Sequence, residues 1–160
     1  MIVVADATCL IALCRIERLD ILRRLFGKVN ICETVYDEVV IAGKDRPGTK
    51  EVREAKWIER KWVKDKIAVR LLEKDLDKGE AETIILASET NANYVILDDK
   101  ESSQIAKLLG LNVIGTIGLL LLADRLGIIT DFKDMMKRLR KAGFRIKDEL
   151  YDKILKEIEV

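Results

Sequence analysis

Two short apolar runs in this chain end in aspartate, and this pattern constrains the fold more than any other feature. The run Ile2-Val3-Val4-Ala5 precedes Asp6, and the run Tyr94-Val95-Ile96-Leu97 precedes the pair Asp98-Asp99. Both runs have the length and composition of buried strands. The other strand candidates lie at 29–32, 67–70 and 111–114. Helical patterns separate most of them, which predicts βαβ units and a parallel sheet in an α/β protein.

The chain is expected to form a single domain over residues 1–160, and it has enough apolar content to bury a core. Helices are predicted at 8–15, 18–26, 33–41, 50–62, 80–91, 100–109, 116–126, 131–142 and 147–158. The segment 43–48 contains the only proline and is predicted to be a loop, either a flap beside a site or a plain surface connection.

The strand-end aspartates predict a metal site. Ligands of open α/β sheets bind outside the carboxyl ends of the strands, so these carboxylates are expected to converge on one crevice. Clustered carboxylates repel one another unless a cation neutralises them. Mg²⁺ or Mn²⁺ suits a shell made only of oxygen atoms and can activate a bound water. Each aspartate can also cap the helix that follows it, and a cap is compatible with a site.

The composition excludes several kinds of chemistry. The chain has no histidine, which excludes Ser-His-Asp and Cys-His catalysis, histidine-based ribonuclease chemistry and histidine-ligated zinc. The net charge is +1, so any affinity for nucleic acid must come from local clusters. The three cysteines lie in apolar surroundings and are predicted to be buried thiols. A charged fraction of 36% with one glutamine and one proline is typical of thermophile proteins.

The chain is expected to be a cytoplasmic protein without a membrane segment. Its longest apolar stretches are far shorter than the roughly 20 residues that cross a bilayer. The first residues show a strand pattern rather than a basic leader with a cleavage site. The sequence therefore predicts no contact with a membrane.

Two further acidic pairs lie on predicted helices, and periodicity does not decide which member of each pair faces a site. Asp37 and Glu38 flank the buried face of one helix. Glu80 and Glu82 flank the face formed in the other by Ala81, Ile84, Ile85 and Ser88. Each of these acids can instead be a solvated residue or an acid favoured near a helix N-terminus.

The last two predicted helices are amphipathic and carry basic residues. Their apolar positions recur at i, i+3, i+4 and i+7, which is typical of packing helices and predicts a symmetric dimer if some of these faces are left over. The basic residues form either a phosphate-binding strip or a solvated face, and they are Lys137, Arg138, Arg140, Lys141, Arg145 and Lys147.

The ordered motifs of the whole chain resemble those of the PIN-domain superfamily, in particular a prokaryotic, VapC-like and poorly characterised subgroup. The resemblance is carried by the segment 4–13, by Val35-Tyr36-Asp37-Glu38-Val39, by Gly79-Glu80-Ala81-Glu82, by Leu97-Asp98-Asp99 and 106–110, and by the tail 139–146. Any one of these motifs is weak evidence. Four of them in order, within a strand and helix alternation, are fairly specific.

The resemblance implies a three-layer α/β/α fold whose central parallel sheet of about five strands has the order 3-2-1-4-5. It implies catalytic acids at Asp6, Glu38, Glu82 and Asp99, with Thr8 orienting the substrate. Glu80 or Asp98 can replace its neighbour, so the implied Mg²⁺ or Mn²⁺ ligands are drawn from all six acids. The implied activity is hydrolysis of RNA by one or two ions, with a homodimer and an antitoxin protein as possible partners.

Three other interpretations compete with this one. A haloacid-dehalogenase-type phosphatase needs a second aspartate two residues after Asp6, where Thr8 stands. A response-regulator receiver needs a lysine after the last strand, where Gly115-Thr116 stands. A PIN fold that has become a catalytically inactive protein-binding or RNA-binding module is compatible with the same residues.

Overall fold

The computed structural model describes residues 1–159 and contains a five-stranded sheet. The strands are β1 Val3–Ala5, β2 Val29–Cys32, β3 Ile58–Lys61, β4 Tyr94–Ile96 and β5 Val113–Ile114. All neighbouring strands are parallel, and their order is β3-β2-β1-β4-β5. The predicted strand order is therefore confirmed. The predicted domain boundary at residue 160 lies outside the described residues.

Helices flank the sheet in a three-layer α/β/α arrangement. They are α1 Ala7–Arg15, α2 Asp20–Phe26, α3 Glu33–Tyr36, α4 Thr49–Glu54, α5 Lys66–Leu72, α6 Lys78–Glu89, α7 Lys100–Leu108, α8 Thr116–Arg125, α9 Phe132–Lys141 and α10 Asp148–Glu159. Helix α3 continues as one π-helical stretch over Asp37–Ile41. Such stretches are rare among helices in general, but those that occur are often found at functional sites.

Strand β1 is the centre of the molecule. Val3, Val4 and Ala5 are fully buried, and β1 pairs with β2 on one side and with β4 on the other. Strands covered on both faces read as continuous apolar runs, which is why the sequence pattern identified β1 and β4. The chain order of the strands reverses between β1 and β4. The crevice of the sheet therefore opens at the carboxyl ends of these two strands.

The predicted positions of the third strand and of the helix before it were wrong. Residues 67–70 belong to α5, which Asp65 caps by accepting a hydrogen bond from the Ala68 N–H at 3.0 Å. Strand β3 lies inside the predicted helix 50–62, because α4 ends at Glu54. It is an edge strand with half of its residues exposed, and pairing with β2 over four residues determines its conformation. Local periodicity does not report such pairing.

The amphipathic face of α9 packs inside the molecule. Phe132, Met135, Met136 and Leu139 are at most 2% exposed. At the flank of this face, Arg138 Nη2 donates to the Ile16 carbonyl at 2.6 Å and so attaches α9 to the end of α1. The apolar face of α9 is therefore covered by the protein's own core and does not provide a dimer interface.

Ser88, expected on the buried face of α6, is exposed.

Hydrogen bonds hold the C-terminal end of the loop 43–48 in place, so this end is not a free flap. The Thr49 hydroxyl donates to the Val39 carbonyl at 3.1 Å, and Glu51 accepts from the Gly48 N–H at 2.6 Å. Gly48 has a φ of 107°, which only glycine adopts without strain.

In the described residues, no helix is both long enough and apolar enough to cross a membrane.

Arg138→Met is expected to destabilise the protein because it removes the bond from α9 to the Ile16 carbonyl while keeping most of the side-chain stem. A half-buried charged donor of this kind contributes about 1–2 kcal/mol to the free energy of unfolding. Urea unfolding measures the loss. Lys137→Met, one residue earlier on the exposed face, is the control and should change stability by no more than about 0.5 kcal/mol. Equal midpoints for the two variants would contradict the role of Arg138.

Candidate active site

Asp6 is the first residue after β1, and its carboxyl is buried at the crevice. Its backbone N–H donates to the Ile96 carbonyl at 3.1 Å, which joins the ends of β1 and β4. The residue is 6% exposed and occupies the N-cap position of α1 without a side-chain capping bond. Burial raises the pKa of Asp6 to about 7 although the Ala7 N–H lowers it, and the charges of Glu38, Asp77 and Asp98 raise it further.

Asp98 follows β4 and is fixed by the start of α8. The Thr116 hydroxyl donates to Oδ2 at 2.6 Å, and the Thr116 N–H donates to Oδ1 at 2.8 Å. Burial raises the pKa of Asp98, and the two Thr116 bonds partly offset this. A Cβ at Gly115 would lie 3.0 Å from Asp98 Oδ1, so this glycine gives the carboxylate its room. Thr116 was not among the predicted site residues, and its only signal in the sequence is its place two residues after the end of β5, at the start of α8.

Asp99 has a different hydrogen-bond partner from its neighbour. Its Oδ2 accepts from the Ser102 N–H at 2.9 Å and caps α7, while its side chain remains exposed. Thr8, on the first turn of α1, is also exposed and lines the same groove as Asp98 and Asp99. The structure therefore brings Thr8 and both strand-end acids to one place.

Glu38 lies on the π-helical stretch and faces the N-terminus of α6. A Cβ at Gly79 would be 2.5 Å from Glu38 Oε1, so the close approach of Glu38 requires glycine at that position. Burial raises the pKa of Glu38, and the charges of Asp77, Glu80 and Glu82 add to the increase. Glu38 and the neighbouring acid, Asp37, are both exposed residues, and what distinguishes Glu38 is the contact of its carboxyl with Gly79.

Glu80 and Glu82 have different surroundings. Glu80 shares a capping box with Asp77: it accepts from the Asp77 N–H at 3.2 Å, and Asp77 accepts from the Glu80 N–H at 2.8 Å. Burial raises the pKa of Glu80 to about 7 against the lowering effect of the Asp77 N–H, and the charges of Asp77, Asp99 and Asp6 raise it further. Glu82 accepts from the Thr34 N–H at 3.1 Å and lines a separate cavity that contains Lys66 and Arg70.

The acids that influence one another at the crevice are Asp6, Glu38, Glu80, Asp98 and Asp99, together with Asp77, which was not among the predicted site residues. Glu82 acts on Glu38 from beside this group. The signal for Asp77 was the capping pattern Asp77-Lys78-Gly79-Glu80. In the described part of the chain, no three acidic or cysteine side chains are arranged as a ready-made metal site. The donors are nevertheless all oxygen. Burial is the main reason why the pKa values of Asp6, Glu38, Glu80 and Asp98 are raised, and repulsion from neighbouring acids adds to it at the first three, so a hard cation would stabilise the charged carboxylates.

The three cysteines do not contribute to this site. Cys9, Cys14 and Cys32 are buried free thiols, as predicted, and burial raises the pKa of each. Cys32 packs its sulfur 3.7 Å from the Thr83 hydroxyl beneath the acidic helix α6. The thiols are therefore protonated core side chains rather than ligands.

A groove of about 550 Å³ extends from the acidic crevice along α1 to the turn between α9 and α10. Thr8, Asp98 and Asp99 form one end of it. Of the predicted basic strip, only Arg145 lines the groove. Arg138 and Arg140 bond within the protein, and the three lysines of the strip are exposed outside the groove. Arg140 donates to the Ile146 carbonyl at 3.3 Å, pairs with Asp148 and lies 4.4 Å above the ring of Tyr151.

Comparison with known proteins agrees with this architecture. The family described as PIN domain matches residues 2–160, which is essentially the whole chain. A search of the curated proteins finds no match. PIN domains are generally metal-dependent nucleases, and the strand order and the acidic crevice described above fit that family. The chain belongs to the PIN-domain family.

Proposed function

We propose that this protein is a metal-dependent ribonuclease that hydrolyses phosphodiester bonds at the carboxyl edge of the sheet. The observation that carries the proposal is Asp6, a buried carboxyl with a pKa raised to about 7, surrounded by the charges of other acids at the switch point of the sheet. Hydrolysis adds water to phosphorus and breaks the P–O3′ bond, which leaves a 5′-phosphate and a 3′-hydroxyl.

The proposed metal ligands are Asp6, Glu38, Glu80 and Asp99. A bound Mg²⁺ or Mn²⁺ would lower the pKa of a water and offset the charge that develops on the phosphate. Asp98 orients the site through its bonds to Thr116 and lies within the field of Asp6. Thr8 is exposed beside these acids, where its hydroxyl can donate to a phosphate oxygen.

Glu80 is preferred to Glu82 in this proposal, although the resemblance assigned the catalytic role to Glu82. Each glutamate accepts one backbone N–H bond, so that contact does not separate them. Glu80 shares the electrostatic field of Asp6 and Asp99, whereas Glu82 lines a separate cavity that contains Lys66 and Arg70. The charge of Glu82 still raises the pKa of Glu38, so Glu82 affects the electrostatics of the site without being a proposed ligand. Asp99 is preferred over Asp98 as a ligand because both oxygens of Asp98 accept bonds from Thr116.

The proposed biological setting follows from the resemblance. A role as the toxin of a toxin–antitoxin pair, with RNA as substrate and an antitoxin as partner, remains a prediction, as do a cytoplasmic location, a thermophilic source and a homodimer. A dimer would have to use surfaces other than the apolar face of α9, which is buried. A single domain over 1–160 is supported by the continuous cluster of buried side chains.

The alternative is a PIN fold that binds protein or RNA without cutting it. One observation favours it: among residues 1–159 the acids do not form a ready-made metal site, and Glu80, Asp98 and Asp99 each accept bonds from the protein itself. The two functions differ in their response to a divalent cation, which is therefore the variable to test.

RNA cleavage separates the two functions and the two glutamates. With Mn²⁺, the parent should cut a panel of single-stranded and structured RNAs and should stop when EDTA is added. Asp6→Asn should abolish cleavage, and Glu80→Gln should slow it by roughly a hundredfold or more. Glu82→Gln, an identical change two residues away, is the matched control and should retain most of the activity. RNA that is bound but uncut by the parent with Mn²⁺ would favour the inactive module.

Asp6→Asn is expected to stabilise the metal-free protein at neutral pH. Folding raises the pKa of Asp6 from 3.8 to about 7. The folded state therefore binds this proton more tightly, and its stabilising effect is complete below about pH 4 and is lost as the pH rises through about 7. In EDTA the parent should lose stability over this range. At pH 7.5 the variant should be more stable by an amount on the order of 1 kcal/mol.

Melting curves with and without Mn²⁺ complete that test. The parent should gain more from Mn²⁺ than Asp6→Asn does, because only the native parent offers all of the ligands. If Asp6 were only a helix cap, the substitution would matter little in either condition, since asparagine and aspartate cap equally well. Equal Mn²⁺ shifts in the two proteins would remove Asp6 from the metal site.

Gly79→Ala should weaken the response to Mn²⁺ without lowering the stability of the metal-free protein. The new Cβ would meet Glu38 Oε1 at 2.5 Å, so the flexible Glu38 side chain must move away, while alanine favours the helix more than glycine does. The measurement is the Mn²⁺-dependent rise in melting temperature.

Glu38→Gln supplies the control for this prediction. It should reduce the Mn²⁺ shift to a similar degree, and the double variant should lose little more than either single variant, because both changes act through the same carboxylate. A shift of the parent's size in Gly79→Ala would show that Glu38 does not act from its position against α6.

A further inference from the structure

We propose that the groove between α1 and the α9–α10 turn is a subsite for one unpaired nucleotide of the RNA substrate. In this subsite the ring of Phe144 stacks on the base, while Arg15 and Arg145 bind the adjoining phosphates. The inference rests on the proposed nuclease function. It goes further by naming the residues outside the acidic crevice that select a single strand.

The groove is continuous with the acidic site, which is the first argument for a substrate as its occupant. Thr8, Asp98 and Asp99 line its inner end, so a strand whose phosphodiester reaches the acids must place a neighbouring nucleotide in or beside the groove. Its volume of about 550 Å³ lies within the range of about 300–1,000 Å³ that is typical of small-ligand sites.

The middle of the groove is apolar and includes one aromatic ring. Ile11 and Ile117 line it from α1 and α8, and Leu139 and Phe144 line it from the C-terminal part. Phe144 is half-buried and packs against the core, which restricts the orientation of its ring. Aromatic faces stack on unpaired bases of any identity, whereas a base within a duplex is already paired and stacked. The lining therefore favours a single strand.

The rim of the groove carries the charge that phosphates require. Arg15 and Arg145 both line it and both are exposed. One nitrogen of Arg15 donates to the Ala142 carbonyl at 3.3 Å, which orients the guanidinium and leaves other N–H donors for a ligand. Arg15 also lines a neighbouring groove that contains Glu38 and Arg46. It therefore lies between the acidic crevice and the base site, where a backbone phosphate would pass.

Contacts within the protein hold the outer wall of the groove in place without a ligand. Arg138 attaches α9 to the Ile16 carbonyl, and Arg140 joins α9 to Asp148 and to the ring of Tyr151 on α10. Because the wall is already ordered, the entropic cost of binding a ligand against it is lower. The acids at one end and the two arginines along the rim complement a strand whose scissile phosphate is bound together with a cation.

Fluorescence anisotropy with a short labelled single-stranded RNA tests the subsite, with Ca²⁺ replacing Mn²⁺. Arg15→Met and Phe144→Leu should each weaken binding by roughly fivefold or more. Arg15→Met should also reduce the slope of log K against log salt by about 0.7, whereas Phe144→Leu should leave the slope unchanged. Phe144→Tyr keeps an aromatic face and should bind like the parent. On a strand with an abasic site, Phe144→Leu should lose its effect.

Matched controls lie at the opposite end of the molecule. Arg125→Met makes the same charge change at the last residue of α8, whose first residue, Thr116, is at the site. Phe26→Leu makes the same ring change beside Tyr94, which begins β4, whereas the acids follow the end of that strand. Both controls should bind RNA as tightly as the parent. Melting curves should show that all variants are folded at the assay temperature.

Binding by Arg15→Met and Phe144→Leu at the parent's strength would overturn the subsite, and so would equal losses on duplex RNA of the same sequence. Cleavage with Mn²⁺ is measured separately. If the parent cuts RNA while both variants bind like the parent, the subsite fails and the nuclease function stands. If the variants lose binding as expected but the parent never cuts, the subsite stands and the hydrolytic function fails.

Discussion

Burial of several carboxylates side by side at the carboxyl edge of the sheet, with the repulsion that this adds between them, is the constraint on which the site depends. Asp6 is buried, and the charges of Glu38, Asp77 and Asp98 all act on it. The groups that hold the surrounding acids are neutral donors: Thr116 for Asp98, and the backbone N–H groups of Ser102 and Asp77 for Asp99 and Glu80. Neutral donors fix the positions of carboxylates but compensate their charge only in part, so the assembled site favours a cation or a proton.

The sequence predicted the part of this arrangement that short-range patterns encode. A buried parallel strand reads as an apolar run, so β1 and β4 and the acids after them could be located directly, and the resemblance supplied the strand order. The phase of a helix places Glu80 and Glu82 on opposite flanks and decides nothing. Their roles differ through distant residues, such as Lys66 and Arg70 in the cavity that Glu82 lines. The edge strand β3 was missed because pairing with β2, rather than its own residues, determines it.

The basic C-terminal residues show why composition alone does not reveal a binding surface. Arg138 and Arg140 belong to the same run of positive charge as Arg145, yet both donate to carbonyl groups of the protein. Arg138 joins α9 to the end of α1, and Arg140 joins α9 to the turn before α10, while Arg15 donates from α1 to Ala142 at that turn. The groove forms where these distant parts of the chain meet. Arg15 lines both this groove and the neighbouring groove that contains Glu38, and it was not part of the predicted strip.

The same charges bear on the choice between a nuclease and a binding module. A cluster of uncompensated acids repels RNA, so a module that only binds RNA would gain affinity by losing these acids. Retaining them beside a cationic groove is useful if a divalent cation bridges the acids and a phosphate. In that case the cation and the RNA each raise the affinity of the protein for the other by the same factor, as thermodynamic linkage requires. An acidic crevice next to Arg15 therefore fits an enzyme that assembles its site when metal and substrate bind together.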